Sequence, residues 1–144
     1  MKKYLLLIVM LFHTGYSFAR DDVKDYSVKE SMSNAKVSSA IGEGVRFYFG
    51  NQAHGKVLKS FGEFQSNKKT NAFGKSDKEA CQWAFASAMK SLKQRAKKEG
   101  GNAVVNIKSN YKDNLTSSNT SFKCGAGAVM AGVTLVGDVV KILE

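Results

Sequence analysis

Apolar positions along this chain fall into short runs, apart from one long stretch in which they follow a helical spacing. In residues 77–99 apolar side chains recur every three or four positions, which keeps them on one face of an α-helix. Ser76 followed by Glu79 forms a capping box at its start, and Gly100-Gly101 is a typical helix stop. The pattern therefore predicts one main helix over residues 77–99, with an apolar face made of Cys81, Phe85, Ala88, Leu92 and Ala96 and widened by Trp83, Ala86 and Met89.

The shorter runs before the helix predict two β-strands. Val45–Phe49 and residues 56–64 are rich in β-branched and aromatic side chains, which are favoured in strands. Alternation would place Phe61 on one face of the second strand and Phe64 on the other. The polar residues 65–74 then predict a loop.

After the helix, the pattern predicts further extended structure. Residues 102–111 form a strand in which Val105 and Ile107 are expected on the same side, because alternate residues share a face. Residues 112–121 are a polar connection, and extended structure restarts at Phe122. The tail from Gly125 to Leu143 alternates small and branched apolar residues and predicts one or two buried strands, broken or bulged at Gly132 or Gly137.

Together these elements predict an α+β fold with one main helix packed on a mostly antiparallel sheet of four to five strands. A single domain is expected over residues 44–144, preceded by a flexible polar arm over residues 20–43, where apolar periodicity is weak. A short element near residues 31–38 is compatible with that arm. The helix is expected to bury Trp83, Phe85, Ala88 and Leu92 against Val105, Ile107, Val129 and Val133.

The first nineteen residues have the three parts of a cleavable secretory signal peptide. Lys2 and Lys3 precede an apolar run over residues 4–12, and Ser17-Phe18-Ala19 places small residues before the expected cleavage between Ala19 and Arg20. A retained membrane anchor is the alternative, but a span needs about 20 apolar residues. The sequence therefore predicts a periplasmic or secreted protein without a membrane span. A lipid anchor is not expected, because there is no Cys near the predicted cleavage point to carry it.

The two cysteines, Cys81 and Cys124, both follow the predicted cleavage point. In an oxidising compartment an even count favours one disulfide. Two buried free thiols are the alternative. A metal site is less favoured, because His54 is the only histidine outside the predicted signal peptide and the sequence has no CxxC or HxxxH spacing.

The charge of the chain is strongly basic. Removing Lys2 and Lys3 with the signal peptide lowers the formal net charge from +10 to +8. Such a surface suits an anionic partner, and export argues against nucleic acid. Lys90, Lys93 and Lys97 share a helix face and are the candidate surface for that partner. The alternative is that these lysines are solvated and stabilised by the helix dipole.

Catalytic and cofactor motifs are weak. His54 lies in a Gly/Asn-rich turn with no serine that it would activate. The glycines from Gly125 onward do not complete a nucleotide fingerprint, because Met130 stands at the third glycine position and Asp138 at a phosphate-loop lysine position. We expect no cofactor, no metal and no catalytic residue. A pair of acids for hydrolysis stays open, since the fold and not the spacing brings such pairs together.

Two segments resemble known domains. Residues 97–107, Lys-Lys-Glu-Gly-Gly-Asn-Ala-Val-Val-Asn-Ile, and residues 122–128, Phe-Lys-Cys-Gly-Ala-Gly-Ala, are similar to parts of the YbjQ-like and RcsF-like families. The resemblance covers residues 45–143 and implies a helix running into a strand, followed by an antiparallel partner. In RcsF-like domains a Cys ahead of the helix pairs with a Cys in a late strand, and Cys81 and Cys124 stand at the matching places.

The resemblance also has departures. RcsF-like sensors are lipoproteins with four cysteines, whereas this chain has two and no lipidation Cys. YbjQ-like proteins are linked to metal binding, for which this chain offers few ligands, and to pentameric assembly, which stays open here. The chain also looks like small exported Gram-negative proteins labelled as excinuclease ATPase subunits, yet it contains no ATPase motif.

These observations lead to one functional hypothesis and two alternatives. The first is a non-enzymatic periplasmic or secreted domain that binds an envelope protein or an anionic envelope polymer, in stress sensing or assembly. The second is a small carboxylate-dependent hydrolase. The third is a homo-oligomeric structural protein that assembles through exposed strand edges.

Overall fold

The computed structural model describes residues 20–144, so the predicted signal peptide over residues 1–19 lies outside the described residues. Ten helices and strands follow one another along this part of the chain. In order they are β1 (Asp22–Ser27), α1 (Val28–Ser33), α2 (Ala35–Ile41), β2 (Arg46–Phe49), β3 (Val57–Asn71), α3 (Asp77–Glu99), β4 (Ala103–Tyr111), β5 (Asn114–Thr116), β6 (Ser121–Ala126) and β7 (Met130–Ile142).

The seven strands form one sheet in which β7 is the central element. β3 pairs with β7 along its whole length, while β4 and β6 share the opposite edge of β7. β1 extends the sheet beyond β6, and β2 extends it beyond β4. The β2–β4 pair is parallel and the other pairs are antiparallel. The predicted α+β class with a mostly antiparallel sheet is confirmed.

The number of elements differs from the prediction. The described residues contain seven strands and three helices, against four to five strands and one main helix. Two of the additional elements are the short helices α1 and α2, and a third is β1. β5 is a three-residue strand inside the predicted polar connection. All four are too short or too polar to give a clear local periodicity.

The main helix lies where the pattern predicts it. α3 spans Asp77–Glu99, and the Ser76 hydroxyl accepts a hydrogen bond of 3.1 Å from the backbone N–H of Glu79. Gly100 ends the helix with φ of 87°, a left-handed conformation that glycine adopts without a steric penalty. The buried face of α3 packs on β3, β6 and β7, so the main core lies between this helix and the sheet.

The expectation of a flexible arm over residues 20–43 is wrong. Asp22–Ser27 pairs with β6 from Asp22 opposite Ala126 to Ser27 opposite Ser121. Val37 and Ile41 in α2 are each only 1 % exposed and belong to the main core. The reason is tertiary: these two apolar residues, four positions apart in a mostly polar segment, are buried because α2 docks on α3.

Two expected contacts of α3 are also wrong. Ile107 lies in the core beneath α3, but Val105 belongs to a separate cluster with Ala103, Val140 and Ile142. A bulge between Val105 and Lys108, with Asn106 at φ of 52°, interrupts the alternation and turns Val105 away. Val129 is 62 % exposed, because it lies in the turn before β7.

A bulge also changes the faces of β3. The register of this strand shifts between Ser60 and Gly62, so Phe61 and Phe64 both pack against the main core instead of facing opposite sides. The strand then continues to Asn71, through most of the predicted loop over residues 65–74. This polar stretch is extended because its backbone pairs with β7 residue by residue.

β7 is one unbroken strand of 13 residues. The expected irregularity at Gly137 falls on its partner, because the bulge in β4 lies opposite this glycine. A Cβ at Gly137 would come within 2.6 Å of the Val104 side chain. Glycine at this position therefore lets the β4 side chains close over the strand.

Candidate functional site

The predicted disulfide is present and entirely internal. Cys81 Sγ and Cys124 Sγ are 2.08 Å apart, and both residues have no exposed surface. Beside them the rings of Phe85 and Phe122 stack with centroids 4.3 Å apart. The disulfide therefore joins the start of α3 to β6 within the core, where it supports the position of the helix.

The segment after α3, which carries the family resemblance, has a clear structural role. A Cβ at Gly101 would lie 2.8 Å from the Val140 carbonyl oxygen, so only glycine allows this approach. The Asn102 amide donates to Ile142 O at 2.9 Å, and its Oδ1 accepts from Ile142 N at 2.8 Å. The side chain thus pairs with β7 as another strand residue would, and it fixes how the chain enters β4 from the helix.

The three lysines predicted as an anionic-partner surface divide into two roles. Lys90 and Lys97 are exposed on α3, and 3.6 residues per turn place them about 20° apart around the helix axis. Lys93 is half-buried, and its ammonium group donates to the carbonyl oxygen of Ile41. Lys93 thereby satisfies a carbonyl at the C-terminal end of α2, so it is less free to meet a partner.

A further lysine belongs with the exposed pair. Lys98 is exposed and follows Lys90 by eight residues, which places it about 80° from Lys90 around the helix axis, at the edge of the exposed side of α3. Among the described residues, none of these three ammonium groups has a carboxylate within 4.0 Å. We call Lys90, Lys97 and Lys98 the basic face of α3. Their helical spacing in the sequence could have identified Lys98 as well.

Acidic residues are sparse around this face. Between Ala80 and Lys98 the helix carries no acid. Glu99 is paired with Arg95 at 3.3 Å, and the Arg95 guanidinium also lies over the Phe64 ring, 4.6 Å from its centroid. Glu43 is exposed in the loop between α2 and β2, one residue before Gly44, which Lys97 approaches, and it forms no ion pair with another described residue. The lysines of the basic face are therefore outside the ion pairs of the described residues.

A second polar cluster holds the start of the described chain. Arg20 makes a two-pronged contact with Asp77 at 2.9 and 3.0 Å. Asp21 accepts a 2.8 Å hydrogen bond from the Tyr111 hydroxyl and is ion-paired with Lys112. The hydrogen bond from Lys112 lowers the pKa of Asp21, and the hydrogen bond from Arg20 lowers the pKa of Asp77.

These two acids bear on the hydrolase alternative. A general acid in glycoside hydrolysis needs a carboxyl group whose pKa is raised, so that it holds a proton near neutral pH. The cationic partners of Asp21 and Asp77 shift their pKa values in the opposite direction. Neither residue is suited to that role.

His54 is engaged in local contacts. Its Nδ1 lies 2.8 Å from the carbonyl oxygen of Gly55, and its ring meets Tyr48 edge-on with centroids 5.6 Å apart. Over residues 20–144, no three His, Cys, Asp or Glu side chains gather in a way that could hold a metal ion. Within the same range, no helix combines the length and apolar composition needed to cross a bilayer.

Comparison of the chain with known proteins finds no matching family model, no matching curated protein and no matching solved structure.

Proposed function

We propose that this protein is a non-enzymatic exported domain that binds an anionic polymer of the cell envelope through the basic face of α3. The observation that carries this proposal is the presence of Lys90, Lys97 and Lys98, exposed on one helix and with no carboxylate within 4.0 Å in residues 20–144. The disulfide and the core contacts of α3 support the rigidity of that face. A preorganised face loses little conformational freedom when it binds.

The physical basis is electrostatic attraction that accumulates over several contacts. A single exposed ion pair contributes only roughly 0.2–1 kcal/mol. A polyanion, however, offers many charges at once, so contacts after the first are intramolecular and strengthen the binding. Attraction of this kind weakens as salt screens the charges. The net charge of +8 on the described residues adds a long-range attraction that steers any polyanion toward the protein.

A charge-matched comparison tests the proposal. The triple variant Lys90→Gln, Lys97→Gln, Lys98→Gln removes the basic face. The control variant Lys56→Gln, Lys69→Gln, Lys141→Gln removes three exposed lysines elsewhere and lowers the net charge equally. We expect the first variant to bind purified lipopolysaccharide about tenfold more weakly than the unchanged protein, because three pairs of this size are lost. The control should retain most of the affinity.

Isothermal titration calorimetry at low and high salt concentration measures the affinity of each variant for lipopolysaccharide. The unchanged protein should show an affinity that falls with salt, and the basic-face variant should show a shallower fall. Equal losses in the two variants would mean that net charge alone, and not this face, attracts the polymer. No measurable binding at low salt would refute the proposal.

We also propose the RcsF-like relationship and the exported location as the setting of this function. Two features support the relationship: Cys81 near the start of α3 is bonded to Cys124 in β6, and Gly101-Asn102 leads the helix into a strand. Mass spectrometry of protein purified from its native cells tests the location. A mature N-terminus at Arg20 is expected, and an intact chain in the cytosolic fraction would contradict it.

A further inference from the structure

A groove of about 520 Å³ is lined by residues of α1, β2 and α3 and by residues 119–120, which precede β6. Its lining is mainly apolar and includes two methionines and two phenylalanines, of which Met89 and Phe49 are buried at its base, only 0 % and 3 % exposed. The lining residues that matter here are Val28, Met32, Phe47, Phe49, Met89 and, at the rim, Lys29. Ligand sites in proteins are typically concave, of this size and mainly apolar. The groove lies outside the basic face of α3, so its use is independent of the proposed function.

The edge of β2 next to this groove has backbone groups available for pairing. β2 is the last strand on its side of the sheet. Arg46 N donates to Asn102 O at 3.1 Å, and Gly50 N donates to Ile107 O at 3.0 Å, so even-numbered positions face β4. In a parallel pair, successive residues direct their backbone groups to opposite sides. The N–H and C=O groups of Phe47 therefore point away from β4.

The next outward position is already occupied. The N–H of Phe49 donates to Gln52 Oε1 at 2.8 Å, and the Phe49 carbonyl accepts from Gln52 N at 3.1 Å. Gln52 thus closes the edge at Phe49, while Phe47 stays open beside the groove. Because Phe47 also lines the groove, its free backbone groups and the apolar surface are adjacent.

The rim of the groove carries one exposed cation. Lys29 makes no ion pair within 4.0 Å among the described residues. Its neighbour in sequence, Glu30, is already paired with Lys78. The rim is therefore locally positive, which complements an acidic group on whatever occupies the groove.

We infer that this groove binds an extended segment of a partner protein, which adds to β2 as a short strand between that strand and α1. Strand addition of this kind takes affinity from main-chain hydrogen bonds and specificity from side-chain pockets. The Phe47 backbone supplies the first, and the half-buried side chains of Val28, Met32 and Phe47 supply the second, with Phe49 and Met89 buried beneath them. Methionine side chains adapt to apolar groups of different shape. An acidic residue of the segment pairs with Lys29.

The free backbone of Phe47 favours a peptide over an acyl chain. An acyl chain would use the apolar lining but would offer nothing to the N–H and C=O groups of Phe47. A peptide satisfies both features together. A hydrogen bond to the Phe47 amide therefore distinguishes the two occupants, because a peptide accepts it and an acyl chain does not.

The experiment uses a displayed library of random linear peptides, followed by synthetic peptides of the enriched sequences. We expect enriched peptides to alternate apolar residues and to carry at least one acid. On binding, hydrogen exchange of the Phe47 amide should slow about tenfold or more, because the amide becomes part of a ladder. Met32→Trp, which fills the groove, should weaken binding about tenfold or more. Met130→Trp, at an exposed methionine outside the groove, should not weaken it.

Lys29→Glu provides a variant that keeps the fold, since Lys29 is exposed and unpaired among the described residues. This substitution should weaken the binding of acidic peptides and leave the binding of their neutral counterparts unchanged. The inference is overturned if no peptide is enriched or if the Phe47 amide stays unprotected in the complex. It is also overturned if phosphatidylglycerol vesicles displace the peptide, because the groove would then be a lipid site. Lipopolysaccharide binding through α3 is measured separately, so failure of one proposal does not decide the other.

Discussion

Tyr111 illustrates how single residues in this protein depend on distant partners. Its ring lies over Gly125, where a Cβ would come 2.1 Å from the phenolic oxygen. Its hydroxyl donates to Asp21, 90 residues away in sequence. Burial and this hydrogen bond raise the pKa of Tyr111 to about 12. Glycine at position 125 and an acid at position 21 are therefore both needed for the tyrosine to occupy this place.

The raised pKa has a consequence for stability at alkaline pH. The folded protein holds the Tyr111 proton up to about pH 12, whereas an unfolded chain releases it near the ordinary value of 10.0. Since the folded state binds more protons in this range, the free energy of unfolding should fall as the pH rises from about 10 to about 12. Tyr111→Phe should reduce that fall. Urea unfolding at several alkaline pH values measures it, and identical profiles for both proteins would contradict the assignment.

Asn102 offers a second test at this scale. Replacing it with Ala removes both hydrogen bonds to Ile142, a residue that is 2 % exposed, and leaves its backbone groups unsatisfied. We expect a loss of about 1–3 kcal/mol in the free energy of unfolding. Asn114→Ala is the control, because Asn114 is exposed and bonds only to the neighbouring Lys112 carbonyl. Similar losses in the two variants would show that Asn102 does not fix the start of β4.

At the scale of elements, local pattern and tertiary context contribute differently. α3 begins and ends where its capping residues and apolar spacing predict. β2 and β4 also follow their β-branched and aromatic runs. The local sequence does not predict β1, α1 and α2 clearly, because each buries few side chains. β1 pairs with β6, α2 packs on α3, and α1 contacts α2 and β1.

β3 shows a further property of elements, the protection of an edge. This strand of 15 residues pairs only with β7 among the described residues, so its other edge is open. Lys59, Lys68 and Lys69 and the bulge at Gly62 interrupt that edge. Charged residues and bulges are common ways in which natural sheets avoid pairing with other molecules.

Removing this protection should promote self-association. Lys68→Val with Lys69→Val makes the edge apolar and increases its preference for extended structure. We expect larger particles in light scattering at increasing protein concentration. Lys56→Val with Lys75→Val makes the same change in composition outside the strands. The particle size of this control variant should not increase with protein concentration. Equal behaviour of the two double variants would mean that the lysines of β3 do not guard the edge.

At the scale of the whole molecule, the disulfide joins two parts of the core that are 43 residues apart in sequence. In the chain-entropy description, a bond closing a loop of this length stabilises the fold by about 4 kcal/mol. The double variant Cys81→Ala, Cys124→Ala should lose most of this stabilisation. Chemical denaturation measures the loss, and reduction of the unchanged protein should give a comparable value. A loss below about 1 kcal/mol would show that packing alone holds α3 on the sheet.

Much of the candidate site was predictable, and the missing part has a specific cause. Lys90 and Lys97 were expected on one helix face, and Lys98 lies about 80° from Lys90 on the exposed side of the same helix. The role of Lys93 was not predictable, since its partner is the Ile41 carbonyl, 52 residues earlier in the chain. The groove beside β2 was not predictable either. Its lining comes from α1, β2, α3 and residues 119–120, which are far apart in sequence, and no local pattern shows that they meet.

The sequence by itself determined the features that depend on neighbours within one or two turns: the extent of α3, its caps, its basic face and the extended runs of β2 and β4. Only the tertiary structure decided which faces those strands present, because single bulges at Asn106 and Gly62 reverse the alternation. It likewise decided that residues 20–43 are folded, since their few apolar groups are stabilised by distant surfaces. Local periodicity shows which side chains of one segment share a face. It does not show which distant segment covers that face, and the burial of these features depends on such distant segments.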